Sequence, residues 1–416
     1  MIDRRQFLGN AGKGLAVAAA WPTMRALGAN DRIRIGLIGA GDRGQQDLRE
    51  ALKQPNIECV AVADAYSRRR DEMKQNLPSI ETYDDPMRLL ERKDIDAVIN
   101  ATPLHLHTKY FLAALDAGKD LYSEKTMTWN IPEATQCLNA AKSSKQVVQI
   151  GLQHESSGEL ADTKKWIGDG LAGTITMVEA WMSRNTPHGK GQWVRPVPSD
   201  CNPDHVNWKL FLSNRPNAPF DANKFINWRL YREFSGGNIT ENMVHQIAWI
   251  MSALNLDLPK AATMSGGVFS EKDGREVPDT IAVTLEFPDL VVLWQSTFSN
   301  SHYGLGEHFL GSNGTIEHVS GSTDMVTGKQ TGGLTYYPEK LNRPNGTVLQ
   351  GENRSEEHMA NWFSCIRSRS QKTYAPVQTG YKSAIAAHMS NLAWIQKRRI
   401  TLEEAMAAPA DAWMVG

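Results

Sequence analysis

The chain has 416 residues, enough for two or three domains with real cores, and 41% of its side chains are apolar, as in an ordinary globular protein. Its 45 basic residues against 46 acidic ones leave a formal net charge of −1. With no basic stripe, low-complexity tract or internal repeat, a nucleic-acid partner and a disordered or repetitive architecture are excluded.

The first segment, Asp3-Arg4-Arg5-Gln6-Phe7-Leu8-Gly9, resembles the twin-arginine export signal. An apolar stretch from Leu15 to Trp21 and the small residues Ala26-Leu27-Gly28-Ala29, suited to cleavage, follow it. The apolar run is too short to span a bilayer, so no stable membrane insertion is expected. Residues 1–30 are read as a signal segment that sends the folded protein to the periplasm; the plainer alternative is a basic leader with a chance arginine pair.

From residue 31 to 153 strands and helices alternate. Strands are expected at Ile33 to Ile38, Ile57 to Ala63, Ala97 to Asn100, Asp120 to Ser123 and Gln146 to Gly151, the pattern of a doubly wound parallel sheet. The first strand runs into Gly39, Gly41 and Gly44, the three positions of G-x-G-x-x-G, with Asp42 and Arg43 inside the turn. There the chain turns tightly, backbone N–H groups approach a pyrophosphate, and the next helix packs closely. Twenty residues on, Asp64 ends the second strand, where a carboxylate accepts hydrogen bonds from a ribose 2′-OH; this favours NAD over NADP. Arg68, Arg69 and Arg70 offer the opposite reading, a 2′-phosphate site. Strand, turn, helix and spaced acid together point to a Rossmann dinucleotide-binding domain.

Residues 154–416 have longer loops and alternating strands, at Gly173 to Met182, Ala261 to Phe269, Thr280 to Phe287, Val291 to Phe298 and His308 to Leu310. They predict an α+β domain with a large, mostly antiparallel sheet. Helices from Ser355 to Arg369 and from Tyr381 to Gln396 close the chain. Cys59, Cys137, Cys201 and Cys365 have no metal or redox spacing and are expected as free thiols, with no metal bound.

Several stretches together resemble the Gfo/Idh/MocA oxidoreductases, the group that includes glucose-fructose oxidoreductase and inositol dehydrogenase. They are the GAGDRG turn, Ala101-Thr102-Pro103 with His107, Ala117-Gly118-Lys119 leading to Tyr122-Ser123-Glu124-Lys125, and Gly236-Gly237-Asn238 leading to His245. The tail from His358 to Arg369 is similar to that of the exported, sugar-directed branch. Thr126 stands where the family has proline, and Glu241 where it has aspartate.

The resemblance implies a nicotinamide enzyme acting on a hydroxyl of a sugar, glycoside or cyclitol. His245 would take the hydroxyl proton as general base, and Lys125, at a strand end, would stabilise the developing alkoxide. Glu241, four residues before His245 on an expected helix, would orient its ring. Each has a plainer reading, as a core histidine, a surface lysine and a surface charge. Thr102, Pro103, Glu124 and Gln153 join the glycine turn as cofactor residues, while His107 either contacts the cofactor or braces the turn. His154, Arg184, Trp228, Arg229 and Tyr231 are substrate candidates, because sugars are held by aromatic faces and multidentate donors. Export implies a tightly retained cofactor, since the periplasm has no free nicotinamide pool. The same superfamily also contains NAD-dependent glycosidases, which oxidise and then re-reduce the sugar ring, so glycoside hydrolysis is the alternative. A non-catalytic binding protein is third. A homo-oligomer through the C-terminal sheet is expected.

Overall fold

The computed structural model describes residues 32–186, 191–323, 330–351 and 357–414. The signal segment expected over residues 1–30 lies outside the described residues.

Six strands form the first sheet: β1 (Ile33–Ile38), β2 (Ile57–Ala63), β3 (Glu81–Tyr83), β4 (Ala97–Asn100), β5 (Asp120–Glu124) and β6 (Val148–Gly151). They are all parallel, in the order β3-β2-β1-β4-β5-β6. Strands buried on both faces read as continuous apolar runs, as Ile33–Ile38 does with only Arg34 exposed. Register fixes what meets at the carboxyl rim. Ile38 pairs with both Ala63 and Asn100, so Gly39, Asp64 and Ala101 emerge side by side. Asn100 pairs with Ser123 and Glu124 with Gly151, which brings Lys125 and Gln153 to the same rim. The chain order reverses between β1 and β4, where such sheets open a ligand crevice.

The second sheet takes nine strands: β7 (Ile175–Ser183), β8 (Ala261–Gly267), β9 (Thr280–Glu286), β10 (Val291–Thr297), β11 (Leu305–Gly311), β12 (Gly314–Thr323), β13 (Gln330–Pro338), β14 (Leu349–Gln350) and β15 (Ile400–Thr401). Their order is β14-β13-β12-β11-β7-β10-β9-β8-β15. It is mixed, because β10 lies parallel to β7 while the other pairings are antiparallel.

One apolar core runs from the first sheet (Val98, Leu121) through the helix Val377–Gln396 to the second sheet (Val178, Trp294). That helix is apolar around its circumference at Ala384, Ile385, Ala386 and Ala387, all fully buried, as a helix sandwiched between layers must be. Gly380 lets it approach β6, where a Cβ would lie 2.7 Å from Ile150. The helix starts four residues before the expected Tyr381, because Pro376 supplies the entry and Gly380 is tolerated inside. The preceding helix, His358–Ser368, returns to the first sheet and buries Met359, Trp362 and Phe363 beside Ile35 and Tyr122. Cys59, Cys137, Cys201 and Cys365 are all free and buried.

Candidate active site

The glycine turn has room for backbone only. Gly39 has φ +90°, and a Cβ on Gly44 would lie 1.9 Å from the Gly39 carbonyl oxygen. The helix Asp42–Leu52 starts directly after it and aims its unpaired N–H groups at the rim, the geometry that holds an anion. Asp64 is 6% exposed. Its carboxylate accepts the Ala40 N–H at 2.8 Å and the Tyr66 N–H at 2.9 Å, so it braces the turn from the neighbouring strand end. Of the three arginines beyond it, only Arg69 faces the cleft, with Nη1 3.6 Å from Asp64. Arg68 pairs with Glu72 and Asp200, and Arg70 donates to the Asp64 carbonyl.

Three cavities that share lining residues follow this rim. One of about 420 Å³ lies between Asp64, Arg69 and Pro103 on one side and Phe211 and Phe225 on the other. A second, of about 810 Å³, covers Gly39, Gly41, Asp42 and Arg43. The third, of about 470 Å³, holds Lys125, Glu241, His245, Gln153 and Glu124. A backbone cradle that a Cβ would fill, beneath an elongated cleft, fits a dinucleotide.

In the third cavity, Arg43 Nε donates to Glu124 Oε1 at 2.9 Å, and its Nη2 lies 2.7 Å from Asp47, one helical turn on. Gln153 Nε2 donates to Glu124 Oε1 at 2.9 Å and to the Tyr122 hydroxyl at 2.7 Å. Burial alone would raise the Glu124 carboxyl, but Arg43 and Lys125 outweigh it and hold it below its usual range. Lys125 Nζ donates to the Glu241 carbonyl at 2.9 Å and to Glu241 Oε2 at 3.3 Å. Arg229 Nε reaches the same Oε2 at 3.0 Å. Burial works to raise Glu241 too, yet Lys125 and Arg229 hold it at about 2. It is a permanent anion between two cations.

This corrects the role expected for Glu241. Its carboxylate is committed to Lys125 and Arg229, and His245 Nδ1 is buried with no hydrogen-bond partner among the described residues. Ile239–Met243 is a π-helical turn feeding the helix Val244–Ala253. Glu241 and His245 still line one cavity, but the two cations within 3.3 Å claim the carboxylate. His245 lines the cavity with its pKa well below the usual value, lowered first by burial and then by Lys125 and His154. Its ring stands 5.3 Å from that of His154, which is exposed. The base-competent neutral form therefore persists at neutral pH.

His107 braces the site. Its Nδ1 lies 2.7 Å from the Thr126 carbonyl and its Nε2 2.9 Å from that of Thr102, so no ring nitrogen is left to contact a cofactor. The Lys125–Thr126 peptide is cis, and Thr126 Oγ1 donates to the Thr240 carbonyl at 2.6 Å, tying the lysine strand to the π-turn.

The substrate candidates divide. Arg184 follows Val178, Ala180 and Met182 on the inward face of β7, continuing their two-residue alternation toward Glu241 and His245. Arg229 is committed to Glu241 and stacks on Trp228, 4.2 Å from the ring centroid. Trp228 lines all three cavities. Tyr231 is placed elsewhere: it packs into an aromatic cluster with Phe225 and Phe234, and its hydroxyl meets Asn223. Sequence reasoning missed Asp47, whose i, i+4 spacing from Arg43 was available, and Arg195, which carries no local signal.

Residues 33–152 match the profile of an oxidoreductase family's NAD-binding Rossmann fold, and residues 210–395 match its C-terminal alpha/beta domain. An inositol 2-dehydrogenase of Rhodococcus jostii is 28% identical over 152 residues, 36% of this chain and 41% of that protein. A glycosyl hydrolase family 109 protein of Shewanella baltica is 26% identical over 179 residues, 39% of this chain and 39% of that one. The chain thus spans less than half the length of these curated relatives. An aldose-aldose oxidoreductase of Caulobacter crescentus, solved with glycerol, shares the fold with a TM-score of 0.65 at 16% identity, over 89% of this chain and 99% of that one.

Proposed function

This chain belongs to the Gfo/Idh/MocA oxidoreductase family, whose two domain profiles together match about three quarters of it, and we propose that it oxidises or reduces a hydroxyl-bearing carbon of a sugar, glycoside or cyclitol. The observation that carries the reading is the cavity where Lys125, fixed by Glu241, and a neutral His245 share one space at the end of the dinucleotide cleft. A bound nicotinamide dinucleotide supplies the hydride acceptor and donor. Gly39, Gly41, Gly44 and Asp64 would hold it, with Arg43 and Gln153 fixing Glu124 beside it. His245 removes the hydroxyl proton, Lys125 neutralises the alkoxide charge, and Arg184 with His154 orients the sugar. Asp64 at the ribose end supports NAD over NADP, with Arg69 the residue that would favour the phosphorylated form.

Glycoside hydrolysis is the second reading, supported by the match to the family 109 protein. A panel of aryl glycosides and free sugars separates the two. Net reduction of the cofactor by a sugar, reversed by a keto acceptor and with no aglycone freed, is the expected result. Steady aglycone release without net cofactor reduction, lost in His245→Ala, would establish the hydrolase instead.

The twin-arginine leader supports export to the periplasm with the cofactor already in place. Lysine at both Arg4 and Arg5 should then trap precursor in the cytoplasm; an unchanged periplasmic yield would remove the proposal. The outward-facing Glu179, Trp181 and His308 of the second sheet support an oligomer through that face, which a monomer mass by light scattering would exclude.

A further inference from the structure

Residues 191–234 lie in sequence between β7 of the second sheet and the π-turn that carries Glu241, yet they dock on the first sheet. Tyr66, just past β2, pairs antiparallel with Val206. The Asn207 N–H donates to the Ala65 carbonyl and the Ser67 N–H to the His205 carbonyl, each at 2.9 Å. The Tyr66 hydroxyl donates to Asp200 at 2.7 Å. Beneath this seam, Tyr66, Phe211, Phe225 and Phe234 are all buried, with edge-on or tilted ring contacts. The seam is built like a protein interior, so the strap is packed in place.

Its inner side faces the cleft. Trp228 runs along all three cavities, and Phe225 closes the one beside Asp64 and Arg69. Arg195 reaches from the strap to the glycine turn, its Nη2 2.6 Å from Asp42 Oδ2 at the start of the helix. The Asn227 side chain clamps the Arg195 backbone on both sides, accepting from its N–H at 2.7 Å and donating to its carbonyl at 3.1 Å. An ion pair between groups 44% and 78% exposed does little for the fold. A guanidinium held over a cradle of backbone N–H groups is, however, the donor set that recognises a phosphate.

We propose that the strap is the outer wall of the dinucleotide site, with Arg195 a diphosphate-binding residue and Trp228 the wall from adenosine to nicotinamide, and that its docking on Tyr66 and Ser67 holds the cofactor in. This rests on the nicotinamide reading above. A dinucleotide between the glycine turn and the strap is held by contacts from both sides, so loosening the strap speeds its release.

The test follows NADH fluorescence while excess NAD⁺ displaces it from the full-length protein. Arg195→Ala should speed release about tenfold, the loss of one charge-assisted contact. A Ser67→Cys/His205→Cys pair, facing each other across the bridge, should form a disulfide that slows release, with the original rate restored by reductant. Reduction of the resident cofactor by a sugar should be equally fast in the oxidised and reduced forms. Equal release rates in the crosslinked, reduced and Arg195→Ala proteins would overturn the wall while leaving the nicotinamide reading intact. A protein that binds neither NADH nor NADPH in any form would overturn both.

Discussion

Glu241 decides how the charges of the third cavity are arranged. A buried carboxylate shared by Lys125 and Arg229 stays ionised because desolvation is outweighed by two adjacent cations, and it holds the ammonium in one place. Lys125→Ala and His245→Ala should each lower turnover by about a hundredfold or more while the nucleotide stays bound. Near-normal turnover in His245→Ala would move the base to another group. The pH profile gives a separate check. A general base works when deprotonated, and the pKa of His245 lies well below 6.5, so activity should hold as pH falls through 6.5 and decline only further down. An acid limb centred at or above 6.5 would show that His245 is not the titrating base.

Among the elements, the strand–turn–helix unit at Ile33–Leu52 depends most on single atoms. Gly44→Ala would drive a Cβ to within 1.9 Å of the Gly39 carbonyl, which neither backbone can relieve. We expect loss of nucleotide binding, measured by NADH fluorescence, before loss of the fold; a variant that binds normally would contradict the packing of the helix on the turn. This unit was legible in the sequence because its signals are local: an apolar run, glycines at fixed spacing, and an acid at the next strand end. β1, β2 and β4 lie where the apolar runs put them. β6 starts at Val148 and not Gln146 because the Ser144 hydroxyl accepts from the Gln146 N–H and makes a turn there. The two-residue edge strands β14 and β15 are too short for alternation to register, and β3 has three residues. The π-turn was not legible either. Nothing in Ile239–Met243 distinguishes its spacing from an α-helix, and the commitment of Glu241 to Lys125 and Arg229 carries no local signal.

Across the chain, the site is assembled from segments far apart in sequence: the glycine turn, the end of β5, the π-turn and the strap. Local pattern gave most of the residues but not their partners. Lys125 meets Glu241 across 116 positions, and the strap docks through backbone groups of Tyr66 and Ser67 that carry no residue signature. One continuous core joins both sheets, so the rim and the helix Val244–Ala253 are held as one body. The retained nicotinamide dinucleotide that we propose is tested most directly by heat-denaturing the purified protein and identifying what is released by mass spectrometry. Release of NAD near one molecule per chain is the predicted result. Protein that releases no nucleotide and, on titration, binds NADP more tightly than NAD would contradict it.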